Sequence, residues 1–221
     1  MYKTEIKEIP RKDYTYHLPK QLNKTKTVAW IVDTCRSRGR REDYAHQLAK
    51  YIDVDIYGKC GFLDCPENSD CLRMLEKEYM FYLAFEDAVC PDYMTDESYR
   101  ILNYDMVPIV FGGGDYRNRM PPDSYLNAWD YQNPEDLAQY LLKLKNNKSK
   151  YYKYLYWKEK YSVKTNNWLC DVCKMLNEKT QTKVYQDIYR WWSSQDNKCK
   201  WWPNYTIKNK KAKKNLIGSY P

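Results

Sequence analysis

Four short apolar runs stand out from an otherwise polar chain: Val28-Ala29-Trp30-Ile31-Val32, Val54-Asp55-Ile56-Tyr57-Gly58, Met80-Phe81-Tyr82-Leu83-Ala84-Phe85-Glu86 and Val107-Pro108-Ile109-Val110-Phe111. The first, third and fourth are nearly continuous rather than alternating, which is the pattern of strands buried on both faces. Helical spacing lies between them, through Tyr44, Leu48 and Tyr51, then near Leu72–Leu75, then from Thr95 to Asn103. Asn133-Pro134-Glu135-Asp136 opens another helix with a capping side chain and proline at its first position, running on through Leu137, Tyr140, Leu141 and Leu144. Strands alternating with helices predict an α/β fold, a doubly wound, Rossmann-like parallel sheet. Residues 27–195 are read as that domain. Residues 1–26, polar with Pro10 and Pro19, read as a linker or remnant of an N-terminal region. Beyond Lys150 the chain is aromatic and helical and loses pattern near Trp192, and residues 196–221 read as a basic, frayed tail.

Composition supports a folded domain. Of 221 residues, 43% are hydrophobic and 30% charged, and 24 tyrosines with 8 tryptophans supply ample core material. No run approaches the roughly 18 apolar residues of a membrane span, and the polar start Tyr2-Lys3-Thr4-Glu5 is followed by no signal-peptide core. The net charge of +8 admits an anionic partner, whether nucleic acid, acidic lipid or nucleotide. Much of that excess sits at Lys208, Lys210, Lys211, Lys213 and Lys214, which read as a solvated end rather than a nucleic-acid footprint.

The cysteines change the picture further. Eight are present, at 35, 60, 65, 71, 90, 170, 173 and 199, beside only two histidines. Cys170-Asp171-Val172-Cys173 is the only C-x-x-C, so zinc-finger and zinc-ribbon patterns are missing; a four-thiolate site from Cys60, Cys65, Cys71 and one more cysteine stays open as the minor alternative, and no metal is the expectation. Disulfides in an oxidising lumen fit better, and three glycosylation sequons, at Asn23, Asn147 and Asn204, agree with that. Asp53-Val54-Asp55 has D-x-D spacing but abuts a strand, and reads as acidity at a strand edge.

In open α/β sheets ligands sit beyond the carboxyl ends of the strands. That rule selects the loops after Val32, Gly58, Glu86 and Phe111. Gly112-Gly113-Gly114 follows the last of these, without the spacing of a dinucleotide fingerprint or the lysine of a P-loop. It reads equally as a flexible turn or as close backbone approach to a phosphate.

Taken in order, these segments resemble the donor-binding half of the α1,3-fucosyltransferases. The four runs are joined by Asp92-Tyr93-Met94-Thr95, Pro122-Asp123-Ser124-Tyr125, Tyr151 to Trp157 and the Cys170–Cys173 pair, so that the resemblance covers residues 24–195. Cys60-Gly61, Cys65, Cys71 and Cys90 resemble the branch that fucosylates the innermost GlcNAc of N-glycans. The resemblance implies the C-terminal half of a two-domain GT-B enzyme, anchored as a type II membrane protein in the Golgi. Such an enzyme transfers fucose from GDP-fucose to a glycan on glycoproteins with inversion and needs no other cofactor. A carboxylate deprotonates the acceptor hydroxyl, and positive groups stabilise the departing pyrophosphate. The acceptor domain, stem and anchor are not in this sequence, so the catalytic base is expected outside it, and contact with a membrane only through a segment not present. Nucleic acid is not an expected partner.

Residue by residue, Arg41 matches the family's pyrophosphate arginine, whose planar fork can hold two phosphate oxygens. Glu86 matches the glutamate ending the third strand, and Tyr93 the tyrosine of the donor loop. The family reads F-E-N-S where this chain has Phe85-Glu86-Asp87-Ala88, and T-E-K where it has Thr95-Asp96-Glu97. Without a gap, Asp96 replaces the glutamate and Glu97 the pyrophosphate lysine; with one, Glu97 takes the glutamate's place and Ser98 the lysine's. Neither alignment restores the lysine. The expected donor set is therefore Arg41, Glu86, Asp87, Tyr93, Asp96 and Glu97, with a catalytically inactive relative as the alternative reading.

Overall fold

The computed structural model describes residues 3–8, 23–65, 70–166, 168–178, 184–188, 199–200 and 202. Its strands are β1 (Lys3–Glu8), β2 (Lys26–Ile31), β3 (Val54–Tyr57), β4 (Tyr79–Phe85), β5 (Val107–Phe111), β6 (Leu126–Asn127) and β7 (Tyr161–Asn166). Helices α1 (Arg41–Leu48), α2 (Cys71–Glu78), α3 (Glu97–Arg100), α4 (Tyr116–Arg119) and α5 (Pro134–Lys145) connect or follow the strands of the main sheet, with α6 (Lys148–Tyr152) and α7 (Trp168–Asn177) after them.

Five strands form one parallel sheet in the order β3-β2-β4-β5-β6. All seven residues of β4 and all five of β5 are buried. This is why neither run alternates: each face of the sheet is covered, so side chains pointing either way leave water. Val28, Trp30, Phe81, Leu83, Phe85, Ile109 and Phe111 point to one side, where Tyr44, Ala45 and Leu48 of α1 and Leu137, Ala138, Leu141 and Leu144 of α5 cover them. Ala29, Tyr82, Ala84 and Val110 point to the other side, against Leu72 and Leu75 of α2 and Ile101, Leu102 and Met106. Phe81, at the centre, is wholly buried, and truncating such a ring to alanine costs about 3–5 kcal/mol.

Local chemistry sets the helix limits. In α5 the Asn133 side chain accepts from the Asp136 amide at 2.9 Å. Pro134 starts the helix, Glu135 and Asp136 meet its positive end, and Lys143 and Lys145 its negative end. Between Thr95 and Asn103 the helix is broken into α3 and a 3-10 turn over Ile101–Asn103.

Two stretches depart from the pattern-based reading. Within the supposed linker of residues 1–26, β1 pairs antiparallel with β7 in a separate two-stranded sheet, with Lys3 opposite Asn166 and Glu8 opposite Tyr161. β7 also interrupts the helical reading beyond Lys150. Neither strand carries a continuous apolar run, so the pairing has no signature within either segment alone. Within the supposed frayed tail, Cys199 bonds to Cys90 and the Lys200 amide donates to the Val89 carbonyl at 2.8 Å. The lysines at 208–214 lie outside the described residues.

At the amino end of the sheet, Lys24 donates to the Tyr79 carbonyl at 2.8 Å and to that of Asp105. Lys158 donates to the Asp105 carboxylate at 2.8 Å and to the Tyr104 carbonyl at 2.6 Å. Burial lowers the Lys24 pKa to about 8, although Asp105 and Glu76 pull it upward. A lysine whose pKa is lowered by folding destabilises the native state while both states are charged, and the penalty disappears once both are neutral. Relative to a Lys24→Met variant, the parent should therefore gain unfolding free energy between pH 8 and pH 10.5, by at most about 3 kcal/mol. Urea denaturation of both proteins across that range measures it, and a constant difference would refute the assignment.

Candidate functional site

The sheet changes winding direction between β2 and β4, since β2 leads outward to β3 while β4 leads the other way to β5 and β6. A crevice opens above such a switch point. Two loops border it, one after β2 and one after β4, and they are joined directly. The Gly39 amide donates to the Asp87 carbonyl at 2.7 Å, and a Cβ on Gly39 would come within 3.2 Å of that oxygen and of Val89 Cγ2.

Arg41 stands at this junction as the first residue of α1. The preceding Arg40 is left-handed, at φ 56°, a conformation costing about 1–2 kcal/mol in a side-chain-bearing residue. Ser37 holds the turn: its amide and hydroxyl donate to the Glu42 carboxylate at 3.0 and 2.7 Å, and its oxygen accepts from the Arg41 amide at 3.1 Å. The Arg41 guanidinium then donates to the Phe85 carbonyl and lies 5.8 Å from the centre of the Trp30 ring. Its Nε is buried with no hydrogen-bond partner among the described residues. A fixed guanidinium with unused donor capacity at a crevice is suited to an oxyanion.

Opposite it, the loop after β4 carries the acidic and phenolic groups. Glu86 is 2% exposed; its Oε1 accepts from the Thr95 amide at 2.9 Å and the Ser98 hydroxyl at 3.2 Å. Burial pushes its carboxyl above the ordinary range, against the opposing pull of those donors. The Tyr93 hydroxyl donates to Asp87 Oδ1 at 2.8 Å. Burial raises the Tyr93 phenol, Asp87 and Glu86 raise it further, and Arg41 lowers it, which places each of these three groups within electrostatic reach of Tyr93. Arg41, Glu86, Asp87 and Tyr93 are thus brought together at the switch point.

Asp96 and Glu97 are placed differently. Asp96 is exposed where α3 begins. Glu97 accepts from the Tyr82 hydroxyl at 2.5 Å and pairs with Arg100 at 3.0 Å. Tyr82 belongs to the sheet face opposite the one that holds Trp30 and Phe85, so Glu97 is turned down that face instead of toward Arg41. Ser98, the lysine's place in the gapped alignment, is fully buried on Glu86.

The glycine run is not a loose turn. A Cβ on Gly112 would lie 2.3 Å from the Tyr116 hydroxyl and 2.7 Å from Glu86 Cγ, and one on Gly113 would lie 2.0 Å from the Cys90 carbonyl oxygen. The Gly113 carbonyl accepts from the Asp92 amide at 3.1 Å, and that of Gly112 from the Trp129 indole at 3.1 Å. The glycines let this turn pack against the loop that bears Glu86 and Tyr93.

Cys199, Lys200 and Trp202 are a part of this region that pattern reading missed. The unassigned Cys199 in an even set of cysteines was the available signal. Three disulfides form, Cys35–Cys60, Cys65–Cys71 and Cys90–Cys199, while Cys170 and Cys173 are free and exposed. Asn23 is exposed, and Asn147 is exposed while capping α6 through the Lys150 amide. Asn204 lies outside the described residues. Among the described residues no three His, Cys, Asp or Glu side chains converge as metal ligands.

A doubly wound domain with an anion-suited arginine at its switch point is the class these observations define. The family described as "Glycosyltransferase family 10 (fucosyltransferase) C-term" matches residues 21–191, and the chain belongs to that family. It is 39% identical over 173 residues to alpha-(1,3)-fucosyltransferase C of Drosophila melanogaster, covering 76% of this chain and 41% of that protein. It is 37% identical over 199 residues to glycoprotein 3-alpha-L-fucosyltransferase A of the same organism, covering 86% of this chain and 39% of that one. The chain therefore spans about two-fifths of the length of these curated relatives. A crystal structure of an alpha1,3-fucosyltransferase with GDP-fucose shares the fold, with TM-score 0.58 at 19% identity, covering 75% of this chain and 50% of that one. A crystal structure with GDP gives TM-score 0.54 at 20% identity, covering 61% and 39%.

The contacts of the glycine turn carry a prediction. Gly113→Ala should destabilise the fold by about 1–3 kcal/mol, the usual cost of overpacking, whereas a flexible turn would tolerate it unchanged. Denaturant midpoints of the two proteins decide between these.

Proposed function

We propose that this chain is the donor-binding half of an α1,3-fucosyltransferase and that it holds GDP-fucose at the switch point between β2 and β4. The observation that carries the reading is the placement of Arg41, whose buried Nε has no partner among the described residues, at the switch point within electrostatic reach of Tyr93. Family membership and the nucleotide-bearing neighbours support it. On this reading Arg41 takes the pyrophosphate and stabilises the charge that grows on GDP as the acceptor hydroxyl displaces it with inversion. No metal or further cofactor enters the scheme. The catalytic base and the acceptor contacts would come from outside the residues of this chain, and the acceptor proposed is the GlcNAc of a glycoprotein N-glycan; the name of one relative supports a glycoprotein as the acceptor class. Three disulfides favour an oxidising compartment such as the Golgi lumen.

A second reading, a non-catalytic relative, is favoured by one specific feature: Asp87 stands where the resemblance expects an asparagine, and the expected lysine is replaced by Glu97 or, with a gap, by Ser98.

A thermal melt of the oxidised chain titrated with GDP, GDP-fucose and UDP tests both. Donor binding predicts selective stabilisation by the guanine nucleotides, about 2.7 kcal/mol at a ligand concentration of 100 Kd. Arg41→Ala should weaken GDP binding by about tenfold to a hundredfold, the worth of a hydrogen bond to a charged group. A cooperative melt that neither nucleotide shifts would favour the non-catalytic reading.

A further inference from the structure

The arginine loop and the Tyr93 loop are each attached to one short piece of chain far away in sequence. Cys199 is disulfide-bonded to Cys90, 109 residues earlier. The next residue, Lys200, bridges antiparallel to Val89, its amide donating to the Val89 carbonyl at 2.8 Å. Two residues on, the Trp202 amide donates to the Gly39 carbonyl at 3.2 Å, and its ring meets that of Tyr44 edge-on, with centroids 5.6 Å apart. Gly39 is in turn bonded to Asp87, and Tyr44 lies one helical turn beyond Arg41. The segment therefore grips the Tyr93 loop at Val89 and Cys90 and the arginine loop at Gly39, spanning the crevice's two banks from outside the sheet.

We propose that Cys199, Lys200 and Trp202 form a clamp that sets the separation of the two loops, so that Arg41 and Tyr93 are already spaced to receive a nucleoside diphosphate. The clamp acts through position: Cys199 and Trp202 touch the loops, and the loops carry the groups that meet the ligand. Fixing both banks before binding removes an ordering cost that the nucleotide would otherwise bear. The direct bonds, Gly39 to the Asp87 carbonyl and Arg41 to the Phe85 carbonyl, tie the arginine loop to the end of β4 and the residues just after it. The clamp adds attachments farther along, at Val89 and Cys90 on one loop and at Gly39 and Tyr44 on the other.

The inference rests on the donor-binding reading, and the test separates the two. GDP affinity and amide hydrogen exchange are measured for the parent, Cys90→Ala/Cys199→Ala, Trp202→Ala, Trp202→Phe and, as a control, Cys65→Ala/Cys71→Ala, whose disulfide closes a separation of six residues beside α2. The clamp predicts at least about tenfold weaker GDP binding in the first double variant and in Trp202→Ala, a loss typical of small misplacements at a site. It also predicts near-parental affinity in Trp202→Phe, which keeps a ring on Tyr44, and in the control. In both weakened variants the Gly39 amide should exchange faster while amides of β4 stay protected. If the Cys90→Ala/Cys199→Ala chain does not fold, Trp202→Ala carries the test with its disulfide intact. Parental GDP affinity in the clamp variants, or an equal loss in the control, overturns the proposal. If the parent itself binds no GDP, the donor reading fails, and Gly39 exchange then decides the clamp: unchanged protection overturns it, and selective loss of protection upholds it.

Discussion

The carboxyl edge of this domain is organised by one junction, where the loop leaving β2 is bonded to the loop leaving β4. The Gly39 amide on the Asp87 carbonyl and the Arg41 guanidinium on the Phe85 carbonyl are both bonds to main-chain oxygen. They fix Arg41 to the end of the central strand rather than to another mobile side chain. β4 is the most securely held strand available for this, being buried along its whole length. Its rigidity is passed to the arginine, to Glu86 directly beyond it, and through Glu86 to Thr95 and Ser98. The left-handed Arg40 is strain that such a frame can sustain.

The glycine turn works within the same constraint. A loop bearing a buried, bonded Glu86 and a Tyr93–Asp87 pair needs backing, and the turn after β5 provides it at backbone distance. Any side chain at Gly112 or Gly113 would displace either Glu86 or the Cys90 backbone. The glycines thus contribute to the site through what they allow others to approach.

Most of the sheet was legible because it depends on local pattern. Residues 107–111 form a strand whether or not β6 is known, since five consecutive buried positions bounded by glycine admit little else. The same holds for the start of α5, where Asn133, Pro134 and Asp136 act within one turn. The positions of Arg41, Glu86 and Tyr93 could be anticipated because the switch-point rule and the family resemblance converge on the same loops. What escaped notice depends on distant partners. β1 and β7 each lack an apolar run and are defined only by pairing across more than 150 residues. Cys199 and Trp202 lie in a stretch whose composition resembles a tail, and only the folded chain brings them to Cys90, Gly39 and Tyr44. Two-residue β6 is too short to carry a period.

The acidic donor loop looks different in three dimensions from how it reads as a string. A carboxylate in place of a lysine beside a pyrophosphate would turn an attraction of about 4 kcal/mol, for charges ~4 Å apart at an effective dielectric of ~20, into a repulsion of similar size. That estimate requires the carboxylate to face the phosphate alone. Glu97 instead accepts from Tyr82 and pairs with Arg100, so its charge is compensated within the same short helix. Asp87 is likewise engaged by the Tyr93 hydroxyl. The exposed Asp96 has the least to offset it. The balance at the crevice therefore turns on Arg41, whose guanidinium is anchored by main-chain oxygen and stacked over Trp30, with no carboxylate bound to it among the described contacts. A site arranged this way loses one cation of the family pattern without acquiring a bare anion in its place. Under the donor-binding proposal, recognition is then concentrated on the arginine and on whatever holds its loop at the right distance from Tyr93.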